Sequence, residues 1–181
     1  PPRTIDRHSR RALPVSYLEA PPDLIPIDGG RQLFVDDFLV ASTTLKRSYH
    51  AAKQHPAAPV LSPETEVELN GGHCPVAAPF NDGVWYDPAD GRFKLWYHAG
   101  WFDGTALATS RDGLHWERPA LEIVPGTNLV IPPRKGHCRD GCLVWLDHDA
   151  AEAERCKLFL FNRRDEDSGG EIYTSADGIH W

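Results

Sequence analysis

The sequence predicts an all-β chain assembled from two consecutive units of short antiparallel strands, and three observations carry that expectation. Short runs rich in aromatic and aliphatic residues alternate with turn chemistry such as Asp87-Pro88-Ala89-Asp90-Gly91. No stretch keeps apolar residues at i, i+3, i+4 and i+7 for a useful length, and Pro132-Pro133 and the glycine-rich joints interrupt any helical pattern. A set of landmarks also recurs in order. Gly72-His73-Cys74 returns as Gly136-His137-Cys138, and Val84-Trp85-Tyr86-Asp87 as Val144-Trp145-Leu146-Asp147. Arg92-Phe93-Lys94-Leu95-Trp96 is echoed by Arg155-Cys156-Lys157-Leu158-Phe159, and the eight residues from Thr109 to Trp116 by those from Thr174 to Trp181.

Taken in chain order, residues 1–54 form an N-terminal arm. Its lead, Pro1 to Pro26, is Pro- and Arg-containing; Arg31 to Val40 is strand-like, with Leu33-Phe34-Val35 and Phe38-Leu39-Val40 around Asp36-Asp37, a candidate for a ring-closing strand. Residues 55–135 hold a Pro-punctuated connection and the first unit, with strands at 83–86, 93–98 and 106–109 and a fourth, outer strand at Leu129 to Ile131. Residues 136–181 hold the second unit, with strands at 143–146, 157–161 and 171–174, one strand short of the first. A unit of roughly 64 residues is longer than the roughly 40 to 50 of common propeller repeats but the same kind of object. Each unit is therefore read as one blade of a β-propeller. The absence of methionine, and a last residue that falls inside a motif continued in its earlier copy, lead us to expect both ends of the chain to be cut, and the unpaired edge left after Glu171 to Thr174 predicts self-association.

Composition narrows the partners. Among 181 residues, 41% hydrophobic, 19 Lys+Arg stand against 26 Asp+Glu, a net charge of −7. That balance argues against a nucleic-acid footprint or an anionic membrane surface, both of which need a basic face. The longest apolar run is the five residues Cys142 to Leu146, far short of the roughly 20 that span a bilayer. The four cysteines are read as reduced, buried thiols, and nothing in the sequence assigns a compartment.

Ser110-x-Asp112-Gly113-x-x-Trp116 and Ser175-x-Asp177-Gly178-x-x-Trp181 have a structural job: the carboxylate accepts turn N–H groups, the glycine adopts a left-handed conformation and the tryptophan packs between sheets. A feature present once per blade is a fold device rather than a site. Trp85, Trp96, Trp116 and Trp145 are read as core. Trp101-Phe102, before Asp103-Gly104, offers an exposed aromatic platform of the sort that stacks on sugar faces, or a packing contact with a neighbouring blade. A metal site built from His73, Cys74, His137 and Cys138 is set aside, because the spacing lacks a compact ligand clip and equivalent blade positions diverge radially. No cofactor is implied.

Thr109 to Glu117 followed by Pro119-Ala120-Leu121 resembles the turn after the third strand in five-bladed β-propeller glycosidases, notably glycoside hydrolase families 32 and 43. Cys138-Arg139-Asp140-Gly141 resembles the Arg-Asp-Pro motif that opens the second blade in family 32, with Gly141 where that family has proline. Asn81-Asp82-Gly83-Val84-Trp85-Tyr86 resembles the Asn-Asp-Pro-Asn-Gly start of the first blade, shorter and again lacking the proline. The resemblance implies part of a five-bladed propeller with a site at the mouth of the ring. There Asp82 would be the nucleophile or general base, and Asp140 the second carboxylate, holding sugar hydroxyls and stabilising an oxocarbenium-like transition state. Arg139 would position Asp140, and Asn81 and Trp101 would contact substrate; His73 and His137, at equivalent places in the two units, either donate to sugar hydroxyls from the central channel or are hydrogen-bonded inside the ring. The general acid of those families comes from the next blade and is expected beyond Trp181. On the residues alone, the alternative for Asp82 and Asp140 is an Asx-turn residue where a strand begins.

The function expected is thus carbohydrate hydrolysis by carboxylate acid/base chemistry, in a fragment lacking its general acid and partnered by the remaining blades. A non-catalytic glycan- or protein-binding propeller and a glycoside phosphorylase are the alternatives.

Overall fold

Turn chemistry decides where the strands stop. Asp87 Oδ1 accepts the Ala89 N–H at 3.0 Å, the Gly91 N–H reaches Asp87 O at 2.9 Å, and Gly91 sits at φ 66°, closing a hairpin. The computed structural model describes residues 19–28, 31–81, 83–163 and 168–181, and the chain divides into two compact units between Ala52 and Lys53.

The larger unit contains two antiparallel sheets. In the first, β1 (Ala77–Ala78) and β2 (Val84–Asp87) lie along one edge of β3 (Arg92–Ala99). Strand β4 (Gly104–Ser110) pairs with the other edge of β3, and β5 (Trp116–Glu117) and β6 (Leu129–Ile131) line the far side of β4. The result is four strand rows, the outermost made partly by Leu129–Ile131 as the sequence predicts. The second sheet is a three-strand meander of β7 (Cys138–Leu146), β8 (Cys156–Arg163) and β9 (Gly169–Ser175). Two successive antiparallel sheets joined by short connections make an all-β architecture of blade-like units.

The period-2 alternation of β8 explains the packing: Cys156, Leu158 and Leu160 point to one face and are buried, while Lys157 and Phe159 point to the other. The buried face closes a core with Trp96, Leu107, Val130, Ile131, Cys142 and Val144. The opposite face of the first sheet, with Leu95, Tyr97, Ala106 and Ala108, is covered by Leu61, Val67 and Trp116. Val67 belongs to the single-turn helix α1 (Glu66–Leu69), which starts with a capping box: Thr65 Oγ1 accepts the Glu68 N–H, and Glu68 Oε2 accepts the Thr65 N–H at 3.0 Å. Glu68 is fully buried, and its Oε1 receives Tyr97 Oη at 2.5 Å and Arg118 Nε at 2.8 Å, while Asn128 Nδ2 donates to Tyr97 Oη at 2.6 Å. Burial pushes the Glu68 carboxyl up, but the bonds from Arg118, Thr65 and Tyr97 outweigh it and hold the group below its ordinary range.

Polar contacts lock the two sheets together. Trp85 Nε1 donates to Val144 O at 2.7 Å and Trp96 Nε1 to Gly178 O at 2.8 Å. Asp87, with no exposed side-chain surface, receives Lys94 Nζ at 2.7 Å from its own sheet. From the second sheet it receives both terminal nitrogens of Arg155, at 3.0 and 2.5 Å. The two Ser-x-Asp-Gly turns make the same bonds: Ser110 Oγ and Ser175 Oγ each accept a glycine N–H at 2.9 Å. Asp112 and Asp177 each accept two turn N–H groups and meet a histidine Nδ1 at 2.7 Å, from His115 and His180.

Four readings need correction. Arg31 to Val40 forms turns instead of a strand, because Asp36 Oδ1 takes the Phe38 N–H at 2.9 Å and the Val40 N–H closes onto Asp37 O at 3.0 Å, leaving Leu33, Phe34 and Val35 exposed. Trp145 is 48% exposed, since it lies on the face of the second sheet away from the core. Of the free cysteines, Cys142 and Cys156 are buried but Cys74 is exposed, in a loop at φ 48°. Strand β7 starts at Cys138, upstream of the expected Leu143, by passing through the Asp-Gly pair instead of turning at it.

Candidate functional site

That passage through Asp140-Gly141 shapes the site. Arg139 pairs with Asn162 and Gly141 with Phe161, so Asp140 is the extra residue of a β-bulge. A bulge re-aims the side chain it carries. The Asp140 side chain is 37% exposed and pairs with Arg163 Nε at 3.1 Å. It is therefore a bulge residue and not the Asx-turn residue that was the other reading of the sequence. The neighbouring Arg139 is buried, donating from Nε to Thr105 Oγ1 at 2.7 Å, and its backbone N–H bonds to Phe102 O at 3.2 Å. Arg139 thus ties β7 to the β3–β4 turn and holds the start of the bulge in place.

The same end of the sheets carries an aromatic wall. Phe80 and Phe102 both adopt left-handed backbone conformations, at φ 42° and 53°, which is costly for a bulky side chain and characteristic of functional segments. Trp101, 45% exposed, packs edge-on against Phe102 at 4.4 Å and faces Phe80 at 6.5 Å between ring centres. The Arg163 guanidinium lies 5.2 Å from the Phe102 ring centre, so the wall runs directly to the Arg163–Asp140 pair. Beneath it His98 is 3% exposed and contacts the Phe80 ring at 4.8 Å and that of Phe102 at 6.2 Å. Neither ring nitrogen of His98 has a hydrogen-bond partner among the described residues.

His137 lines a narrow cleft of about 10 Å³ with Asp103, Arg134, Arg139 and Asn162, space for roughly one water molecule. A sugar ring cannot enter a cleft of that size. Burial raises the Asp103 carboxyl above its ordinary value. Of the other residues singled out in the sequence, Asn81 is exposed in the turn before β2. His73 is exposed and turned back by a bond from its own N–H to Asn70 O at 3.0 Å. Asp82 lies outside the described residues. The structure joins Arg139 and His137 at one cleft and places Asp140 at the same strand ends; among the described residues no contact draws His73 or Asn81 to them. Among the described residues no group of three or more His, Cys, Asp or Glu side chains converges as a metal site.

Sequence reasoning passed over Asp103, Phe80 and His98. Asp103-Gly104 reads as ordinary turn chemistry, and His98 occupies the strand position after Lys94 and Trp96 on one face of β3 without any motif around it. The one available signal was an imidazole on a face otherwise destined for a core.

No protein-family model matches the chain, and no curated protein does. Among solved structures, the chain is similar to a β-fructofuranosidase from Schwanniomyces occidentalis complexed with fructosyl-erythritol, at 18% identity and a TM-score of 0.40. The same figures hold for the fructofuranosidase of that organism complexed with fructose. In both, the similarity covers 55% of this chain and 21% of the other, so the chain spans about a fifth of the length of the structures it is compared with.

Proposed function

We propose that this chain is part of a β-propeller that acts on carbohydrate, with Asp140 as a substrate-facing carboxylate. The observation that carries the reading is the bulge: it delivers a partly exposed carboxylate to the rim where Trp101, Phe102 and Phe80 form an apolar wall. Glycoside cleavage needs an ionised carboxylate across the sugar from a proton donor, and aromatic faces bind the C–H faces of sugar rings. In this reading Arg139 positions the bulge and Arg163 orients Asp140. Asp82 is the nucleophile or base, and the general acid is supplied by a further blade. Asp103 lines the same cleft as His137 and Arg139, and burial raises its carboxyl above the ordinary value.

A glycan-binding module is favoured by the Arg163–Asp140 ion pair, which neutralises the carboxylate. The test is turnover of aryl glycosides and oligosaccharides, with and without inorganic phosphate, by the wild type, Asp140→Asn and Asp82→Asn in the longest natural form of the polypeptide. Loss of kcat/KM on the order of 10²–10⁴ in both variants, at unchanged melting temperature, supports catalysis. Strict dependence on phosphate assigns the phosphorylase. Glycan binding without turnover, untouched by either substitution, assigns the binding module.

A further inference from the structure

The two sheets carry the same set of side chains in two different states. On the first, Trp85 stands opposite Lys94 across the β2–β3 pairing, Asp87 binds Lys94, and Trp96 lies further along β3. This face is covered: Val144 O takes the Trp85 N–H, the Gly178 turn takes the Trp96 N–H, and Arg155 closes on Asp87. On the second, Trp145 stands opposite Lys157, Asp147 binds Lys157, and Phe159 lies where Trp96 does. Here the face is bare. Leu143, Phe159 and Ile172 are cross-strand neighbours and, with Trp145, are all 44% exposed or more. Among the described residues no arginine reaches Asp147.

We infer that this open face is a docking surface for a further sheet of the same kind, one that sets an arginine on Asp147 as Arg155 is set on Asp87 and lays a glycine turn over Phe159 as Gly178 lies over Trp96. The inference rests on the blade reading of the chain and not on its carbohydrate chemistry. Continuity with the existing interface and the charge of Asp147 specify the occupant. A second copy of this chain does not qualify. The corresponding surface of its first sheet is already covered by α1 and Leu61, and Arg92, the residue matching Arg155, is committed to Glu117 at 3.0 Å and Thr109 at 3.3 Å. The docking face of its second sheet is used by its own first sheet. The occupant is therefore a unit with an uncovered inner face, an arginine at the start of its middle strand and a Ser-x-Asp-Gly turn.

The experiment appends a second copy of residues 117–181 after Trp181, where Glu117 follows a tryptophan as it does in the natural chain. The expected result is that Trp145 becomes protected from acrylamide quenching, read as the difference from Trp145→Phe. Asp147→Asn should then lower the melting midpoint of the extended chain by several degrees while hardly moving that of the 181-residue chain. Replacing the arginine of the appended copy by alanine should cost a similar shift, and the two changes together little more than one. Trp145 remaining accessible, or additive shifts of equal size in both chains, would overturn the inference. A 181-residue chain that sediments as a dimer with Trp145 protected would overturn it too, by showing a second copy in the place assigned to a further unit. None of these readouts uses activity, so they are independent of the carbohydrate assignment.

Discussion

Asp87 and Asp147 are the same residue in the same local setting, each at the end of a strand and paired with a lysine from the next, yet they do different work. Asp87 has no exposed side-chain surface and holds Arg155 across the interface; Asp147 keeps part of its surface in solvent and, among the described residues, Lys157 is the one cation it holds. The difference teaches that a local motif acquires its energetic weight from what docks on it. A buried carboxylate held by two cations cannot be removed without leaving Arg155 unpaired, whereas a pair that keeps part of its surface in solvent is partly screened by water. The largest expected effect follows directly. Asp87→Asn takes from Arg155 its carboxylate partner and leaves Lys94 with Asp90 alone, at 3.0 Å, and should cost about 3 kcal/mol in urea unfolding. Asp147→Asn should cost about 1 kcal/mol or less, and equal losses at the two positions would refute the contrast.

The two turns sharpen it. Both glycines are left-handed, at φ 75° for Gly113 and 76° for Gly178, and both turns make the same hydrogen bonds. A Cβ on Gly113 meets nothing within 4 Å, whereas one on Gly178 falls 2.4 Å from Trp96 Cζ2. Gly113→Ala should therefore cost only the backbone conformation, about 1 kcal/mol. Gly178→Ala adds a collision at the interface and should cost about 2–4 kcal/mol by the same measurement.

Titration gives the smallest expected effects, with opposite signs. Burial opposes ionisation of Asp87, but Arg155 and Lys94 outweigh it and hold the carboxyl far below its ordinary range. Its folded pKa is depressed, so its contribution is present above the unfolded value of about 3.9 and is lost as pH falls through the folded one. Asp177 raises His180 above the usual imidazole value, with a further bond to Glu122. That contribution is complete below about pH 6.5 and is lost as pH rises through the raised value. Melting midpoints measured across pH should show Asp87→Asn flattening the acid limb and His180→Asn removing a slight decline on the alkaline side.

The strands were legible because turn chemistry brackets them: Asp87 to Gly91 and the two Ser-x-Asp-Gly turns stop the chain where the residues say they should. The role of Asp112 and Asp177 as acceptors of turn N–H groups was legible for the same reason, since the bonds span two or three residues. What was not legible depends on distant partners. Arg155 and Asp87 are 68 positions apart, and nothing local marks either as half of an interface. Asp140 looks like a turn because Asp-Gly usually is one; only pairing with β8 on both sides converts it to a bulge. Trp145 obeys the strand pattern perfectly well and is exposed only because its face of the sheet is uncovered. At the candidate site Arg139, His137 and the exposed Trp101-Phe102 pair were candidates in the sequence, whereas Phe80, which joins the aromatic wall from a strained backbone position of its own, is announced by no pattern.

Arg155 has one more bond than the interface requires. Its Nε donates to Ala176 O at 2.7 Å while its terminal nitrogens hold Asp87, so one side chain reads both the last turn of its own sheet and the strand end of the neighbouring one. Disordering that turn removes a strut from the guanidinium, and separating the sheets removes the anchor that keeps the turn closed. The two sheets are therefore coupled in their fluctuations as nearest neighbours in a linear array are, and amides of β3, β8 and the Gly178 turn should exchange with solvent as one cooperative block.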